Sequence, residues 1–576
     1  MTPLFTNPKR FAALLLFGVI IIASFLRLYN ISEAPPGLYP DEAMNGNNAL
    51  EALSTGQFKT FYPENNGREG FFINLQALSI AIFGNEPWAL RLVSALFGIL
   101  TVAGVFVLTR ELFLPAKQSH ADEEREPRIR RHEKIALLAA FCIATSFWHI
   151  NFSRIGFRAI MAPFFMTWGT YLTLMIARKL EEFKVRQRAE TITPELGAPS
   201  VFAVPKEKTY WGLNLHTLLF SVAAGFVFGL GFHSYIAYRI MPLIPFLMFV
   251  YWCLSMKDAR KELAKTFVIF AAAAAFAVLP LVWHFAMNPQ DFFGRTSQIS
   301  VFSAEHPIFS LVINIGKTIG MFYVQGDMNW RHNLAGRAEL FWPVGLMFLV
   351  GMLGALGAAL TFLIRLLKGT AFKETHSAIS ETATLADRTP PLALLIPLAW
   401  LLVAALPVVI SNEGIPHALR AILMIPPVFI LAGAGGIWLY DRLLAFAKGA
   451  DPESTWSHVK ETLLKIFVVI VLVLLPCEAY YIYFQRWNKD PNTFGAFAQN
   501  YVDIGRELNA NPRETPKYII VHTGGAEVRG IPMPTQTVMF ITDTFTPEKQ
   551  KEKNIFYVLP ERERDIPSGA RTFIID

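Results

Sequence analysis

The chain has 576 residues, 53% of them hydrophobic and 17% charged, with a mean hydropathy of +0.37. Repeated apolar runs of membrane length place it among polytopic membrane proteins rather than soluble domains. The net charge of +7 collects in short loops between those runs, so it reads as a topology signal and not as a nucleic-acid surface. Cys142, Cys253 and Cys477 all lie in apolar segments, which argues for neither a disulfide framework nor a thiolate metal site.

The first apolar run, residues 11–29, follows a short basic stretch with Lys9 and Arg10. No small-residue cleavage site comes after it, so it reads as a retained membrane helix. A turn-rich stretch, 31–40, leads to two adjacent carboxylates, Asp41 and Glu42. A helix is expected over 42–53 and a loop over 63–70. Further spans are expected at 88–113, 135–150, 161–177, 215–232, 237–254, 266–287, 341–367, 392–410, 417–440 and 463–484, about eleven in all.

Residues 71–83 are apolar but short for a span. If they lie along the interface, the basic loop 127–134 and the loops carrying Arg178, Lys179, Arg186 and Arg188, Lys257, Arg260, Lys261 and Lys265, and Arg365 with Lys368 all fall inside. The Lys/Arg bias favours that arrangement. It gives a multi-pass protein of the plasma membrane, with a cytoplasmic N-terminus and an external C-terminal region.

Two larger external pieces are expected, about 30–87 and 288–340, the second with an interfacial helix over 307–324. The charged stretches 181–208 and 373–389 read as loops. From about 487 onward the pattern changes. A helical stretch at 493–509 precedes β-like runs at 518–522, 537–541, 555–559 and 572–575. The expected architecture is an all-α transmembrane domain, 1–486, with a small α/β appendage, 487–576.

There is no P-loop, no credible HExxH and no Cys/His cluster, so an ATP-driven pump and a zinc protease are disfavoured. What remains is carboxylates, arginines, histidines and tyrosines at one water–membrane face. Asp41 and Glu42 suit either of two roles, caps of the following helix or a general base with its neighbour. Arg68 suits interfacial anchoring or phosphate binding through its planar fork. Arg154 and Arg158, four apart, share a face if helical and then call for an anion or nearby acids. His233, Tyr235, Tyr238 and Arg239 join two spans, and the tyrosines also fit an aromatic belt.

Asp327, Asn329, Trp330, Arg331, His332 and Asn333 form a polar-aromatic cluster of the kind that binds sugars. Glu413, His417 and Arg420 crowd one span entrance, which is costly for ionisable groups unless they are used.

Taken in order, these segments resemble the GT-C membrane glycosyltransferases, and more closely glycosyltransferase family 39. That is the protein O-mannosyltransferase-like group that includes the lipid A aminoarabinose transferases. The resemblance rests on the Asp41-Glu42 pair after the first helix, residues 88–98 and 153–158, Tyr238-Arg239, 329–333 and 413–420, and it covers roughly 11–440. It implies a polyprenyl-phosphate-linked sugar donor, an acceptor hydroxyl on a protein, lipid or glycan, inversion at the anomeric carbon, and Asp41 as base. Where relatives carry a Pro-Pro pair after a basic residue, this chain has Gly70-Phe71-Phe72. Where several carry another acid near the end of the third helix, it has Ser153-Arg154.

A monophosphate leaving group surrounded by arginines needs a metal less than a diphosphate does, so no metal is expected to be required. A competing reading is a transporter or flippase of lipid-linked saccharides. That reading predicts charges at mid-membrane depth, whereas these cluster at one face.

Overall fold

The computed structural model describes residues 8–65, 67–115, 129–195, 208–293, 306–372, 391–411 and 414–576. Among them, ten helices are long and apolar enough to cross a membrane: Arg10–Leu28, Pro87–Leu112, Arg158–Gln187, Leu215–His233, Ile236–Ser255, Lys257–Met287, Trp342–Leu367, Leu392–Val409, Ile422–Lys448 and Thr455–Trp487. The span expected at 135–150 is instead two pieces, Arg131–Ala144 and Phe147–Phe152, broken at Thr145-Ser146. Neither piece alone reaches the ~20 residues a bilayer requires.

Together the two pieces run the length of a neighbouring span. Arg131 Nε meets Asp441 Oδ2 at 3.1 Å near one end of Ile422–Lys448, while Trp148 Nε1 donates to the carbonyl of Ala418 at 3.0 Å just beyond the other. The broken helix is enclosed by other spans, which is why every residue of its second piece is buried.

The two ends of the bundle differ in chemistry. At one end lie the Arg131–Asp441 pair, the Arg178–Glu111 pair, in which Arg178 Nη1 donates to both carboxylate oxygens, and the Lys184–Glu262 pair. These are the basic segments named above. The other end carries the polar motifs, joined by Arg154 to the carbonyls after the first span, by Asn151 to Arg331, and by Asp327 to Ala418. The alternation of basic and motif-bearing loops along the sequence is therefore an alternation in space.

Two helices stay too short to span, Gly70–Phe83 and Pro307–Gly320. The second is tied down where Asn314 Nδ2 donates to the carbonyls of Val409 and Ser411. One expected loop is helical: Met161–Glu195 continues well into the charged 181–208 stretch. Glu, Lys, Arg and Gln are good helix formers, and Arg178 and Lys179 pair with Glu182 one turn on. The expected loop 373–389 lies outside the described residues.

The C-terminal appendage has a three-stranded parallel sheet. Lys517–Val521 is central, between Ile555–Val558 and Arg571–Ile575. The stretch expected to be helical over 493–509 is two helices, Pro491–Ala496 and Gln499–Ala510, separated where Ala498 takes φ 51. The run 537–541, expected as a strand, is the helix Gln536–Thr542. Its apolar residues are needed on more than one side, since Val538 faces the small sheet's core while Phe540 joins the core of the membrane-proximal helices. An alternating strand reading cannot express that.

This helix docks on Pro40–Thr55, the helix that carries the two carboxylates. Asn47 Nδ2 donates to Gln536 at both its backbone and side-chain oxygens, Asn85 Nδ2 donates to the carbonyl of Phe540, and Thr537 Oγ1 donates to that of Leu38. A Cβ on Gly46 would sit 2.4 Å from the Phe540 ring.

Candidate active site

Pro40–Thr55 begins with Pro40 at its first position, where a missing N–H costs nothing. Asp41 and Glu42 follow in the first turn, where the helix dipole favours acids, but their surroundings differ. Glu42 is fully buried. Its Oε2 accepts from Arg91 Nε at 3.1 Å and from the backbone N–H of Gly156 at 2.6 Å. Its Oε1 accepts from Arg91 Nη2 at 3.2 Å and from Tyr39 N at 3.4 Å. Arg91 also donates to the carbonyls of Pro35 and Gly37. A Cβ on Gly156 would meet Glu42 Oε2 at 3.1 Å, so a larger residue there would have to push the Glu42 carboxylate aside by a few tenths of an ångström. Glu42 is thus the knot between the loop after the first span, the second span and the turn after Phe152.

Asp41 is half-buried. Among the described residues it takes one hydrogen bond, from Asn65 Nδ2 to Oδ1 at 2.6 Å. Tyr39 lies beside it, and the Arg331 guanidinium stacks 4.1 Å from the Tyr39 ring centroid. Burial and then the Asp41 charge push the Tyr39 hydroxyl above its ordinary pKa, with Arg331 opposing.

Arg68 is buried on a two-residue strand, Arg68–Glu69, that pairs with Phe61–Tyr62. Its two terminal nitrogens donate to Asn45 Oδ1 at 2.6 Å and Asn48 Oδ1 at 2.8 Å. Asn45 in turn donates to the carbonyl of Gly156 at 3.0 Å. Glu69 accepts from Arg158 Nε at 2.7 Å, and its charge also reaches His233 and Arg239. Arg239 stacks 4.3 Å from the Phe292 ring centroid and donates to that residue's carbonyl.

Arg154 and Arg158 are not on one helical face, because residues 153–157 form a turn rather than a helix. The chain turns there so that the Gly156 backbone N–H can donate to Glu42. Arg154 is fully buried and donates to the carbonyls of Leu26, Tyr29, Asn30 and Ala34. Its guanidinium lies 5.2 and 4.9 Å from the ring centroids of Tyr483 and Phe484. This is a cation closing the C-terminal end of the first span. Arg154→Lys is expected to lower the thermal midpoint, because one ammonium cannot serve four carbonyls that a planar fork reaches, and each buried acceptor left bare costs about 1–3 kcal/mol. An unchanged midpoint on thermal unfolding in detergent would contradict that role.

Tyr238 is fully buried between Phe228 and Phe232. Its hydroxyl has no hydrogen-bond partner among the described residues. Tyr235 packs against the main core. His233 Nε2 is 2.9 Å from the carbonyl of Ala277, and its ring lies 6.1 Å from that of Phe71.

In the loop after Pro307–Gly320, Asp327 is buried. Its Oδ1 accepts from Asn329 N at 2.8 Å, and its Oδ2 accepts from Ala418 N at 2.8 Å. Oδ2 also lies 3.0 Å from His332 Nδ1 and 3.8 Å from His417 Nδ1. Burial pushes the Asp327 carboxyl up, but His332, the Asn329 N–H and His417 outweigh it and leave it below the ordinary range. Burial and the neighbouring His332 hold His417 well below its usual value. Trp330 offers its carbonyl to Trp487 Nε1 at 2.8 Å.

Arg420 donates to Ser411 Oγ. Regular helix starts later than expected here: His417 and Arg420 lie in turns ahead of Ile422–Met424 and Ile425–Lys448. Glu413 lies outside the described residues.

Three partners were not singled out in the sequence. Arg91 sits one turn into a span, and an arginine there is itself a signal. Asn65 and Tyr39 carry no such signal, since both types are ordinary in turns. A further tie comes from the appendage: Arg529 pairs with Glu51 at 2.9 Å and Glu64 at 3.1 Å, and Glu64 adjoins Asn65. The Arg529 side chain is 38% exposed, so Arg529→Ala is expected to cost under about 1 kcal/mol of stability. It is expected to loosen the 56–69 loop, seen as faster limited proteolysis there. Unaltered cleavage would count against this tie.

No protein-family model matches the sequence, and no curated protein does either. Among solved structures, the chain is similar to the oligosaccharyltransferase of Archaeoglobus fulgidus in its apo form, with TM-score 0.49 and 14% identity over 96% of this chain. The chain spans 65% of that protein's length. It is also similar to ArnT of Cupriavidus metallidurans bound to undecaprenyl phosphate, with TM-score 0.48 and 12% identity, covering 94% of this chain and 88% of ArnT. Against the Saccharomyces cerevisiae protein O-mannosyltransferase Pmt1–Pmt2 complex bound to its sugar donor, the TM-score is 0.32, with 15% identity over 48% of this chain and 34% of that one.

Proposed function

We propose that the chain is an integral-membrane glycosyltransferase that moves a sugar from a polyprenyl-phosphate donor to an acceptor hydroxyl. The observation that carries this reading is the contrast between the two adjacent acids. Glu42 is consumed by four donors, whereas half-buried Asp41 takes one hydrogen bond among the described residues and shares its neighbour Tyr39 with the Arg331 guanidinium. A half-buried carboxylate with spare acceptor capacity is suited to take a proton in the transition state.

Asp41 accepts the proton of the acceptor hydroxyl as that oxygen attacks the anomeric carbon. The bond to the phosphate oxygen breaks on the opposite face, so the configuration inverts. Charge grows on the departing polyprenyl phosphate, and arginines among Arg68, Arg239, Arg331 and Arg420 stabilise it. Glu42 acts as a positioning residue, holding the first turn of the helix through Arg91 and Gly156. The chemistry end of the bundle is the outer face of the plasma membrane, since the basic loops gather at the other end.

The test is transfer of label from polyprenyl-phosphate sugars by the purified protein to membranes prepared without it. Label is expected in a non-lipid-phosphate product for at least one sugar. No transfer from any donor in a panel of hexoses and pentoses would overturn the reading. Mass analysis of the glycans lost when the protein is removed would then name sugar and acceptor.

A further inference from the structure

The proposed transfer gives no role to the acid and two imidazoles that meet behind Arg331. Asp327 and His332 are buried and His417 is half-buried. One ligand-type atom from each lies within 4.8 Å of the others. Asp327 Oδ2 is 3.0 Å from His332 Nδ1 and 3.8 Å from His417 Nδ1. A tetrahedral ion with bonds of about 2.1 Å holds its ligands about 3.4 Å apart, so a small side-chain rotation brings all three to one point.

The outer contacts suit a fixed site. Asp327 is held by two backbone N–H groups, those of Asn329 and Ala418. The His332 ring is wedged between Phe152 at 5.7 Å and His417 at 4.9 Å. Ligands oriented in this way lose less freedom on binding. The turn is tight as well, since a Cβ on Gly326 would strike the carbonyl of Arg337 at 2.1 Å.

We propose that Asp327, His332 and His417 bind one divalent transition-metal ion of the zinc type, leaving a coordination position for a phosphate oxygen. Two imidazoles and one carboxylate are a nitrogen–oxygen set that suits zinc and its first-row neighbours better than magnesium or calcium. Three protein ligands are the pattern of a site with a place left open. The charge balance argues for an anion there. A doubly charged ion on one carboxylate retains positive charge, and Arg331 and Arg420 are close enough to act electrostatically on His417. That excess is neutralised by an anionic ligand and would repel a second cation. The metal site stands on its own residues; the phosphate ligand rests on the proposed donor chemistry.

The test uses the full-length protein in detergent, stripped with a chelator and titrated with Co²⁺, whose visible d–d bands report nitrogen–oxygen coordination. One equivalent is expected. Asp327→Asn and His417→Gln are expected to weaken binding at least about tenfold, and added Zn²⁺ should raise the thermal midpoint of the wild type but not of these variants. His417→Gln, in a half-buried turn, keeps the test open if Asp327→Asn fails to fold. Absence of Co²⁺ bands in the wild type, or equal binding by His417→Gln, would overturn the site.

Inorganic phosphate and micellar polyprenyl phosphate are then added separately. A shifted band with either supports the open position, and the one acting at lower concentration identifies free ion or lipid headgroup as the ligand. No shift with either contradicts it. Loading is read without turnover, so its failure leaves sugar transfer standing, and failure of sugar transfer leaves the metal site standing.

Discussion

Asp41→Asn is expected to lower turnover by about 100- to 10,000-fold, the range for loss of a positioned general base, with little change in the donor KM. The substitution keeps shape and keeps an oxygen for Asn65 Nδ2, now 2.6 Å from Asp41 Oδ1. The residue is half-buried and keeps its hydrogen bond, so stability should fall by no more than about 1 kcal/mol, the size of the lost favourable interaction of an acid with the helix N-terminus. The loss should fall on kcat because the proton moves only in the transition state. Initial rates across donor concentrations, together with thermal unfolding of the same samples, check both halves. A variant transferring sugar at the normal rate would remove Asp41 from the chemistry.

The second large effect is on stability. Arg91→Ala is expected to cost about 3–5 kcal/mol, because it strands Glu42 as a buried charge without its ion partner. Both side chains of the pair are 0% exposed, so no water can take over. The carbonyls of Pro35 and Gly37 lose their donor in the same step. Adding Glu42→Gln to Arg91→Ala should recover part of the loss, since the stranded charge is gone, and that non-additivity is the signature of a direct pair. Thermal unfolding of the two singles and the double in detergent measures it. If Arg91→Ala unfolds at the wild-type midpoint, the knot at Glu42 is not holding the loop after the first span to the second span.

The sequence was most legible where long periodic patterns speak. The spans, the short apolar helix Gly70–Phe83, and the gathering of motif segments at one end follow from apolar length and from the placement of Lys and Arg. It was least legible where one side chain's role depends on what lies across the fold. Asp41 and Glu42 look alike as adjacent acids, and only the arrival of Arg91 and the Gly156 N–H separates them. Arg154 and Arg158 look alike as spaced cations, yet one closes a helix on four carbonyls and the other pairs with Glu69.

Arg27 was silent in the sequence as an arginine near a span end. It is fully buried, donating to the carbonyls of Ala23, Ile143 and Ala144 and lying 2.7 Å from His149 Nδ1. The strand expected over 537–541 failed for a related reason: helix Gln536–Thr542 buries residues against two separate cores, so its pattern follows neither simple period. The Asp327–His332–His417 group spans ninety residues of sequence and carries no spacing signature, so only folding brings it together.

The proposed reaction breaks a bond to the sugar rather than merely moving the lipid-linked sugar. The most direct measurement places the purified protein in sealed vesicles with a polyprenyl-phosphate sugar labelled in both halves, together with acceptor membranes. The two labels are expected to separate, with sugar on the acceptor in the inverted anomeric configuration and polyprenyl phosphate released in equal amount. Asp41→Asn is expected to suppress both together. Recovery of intact donor on the opposite leaflet, with the two labels still joined, would contradict the proposed reaction and establish a transporter instead.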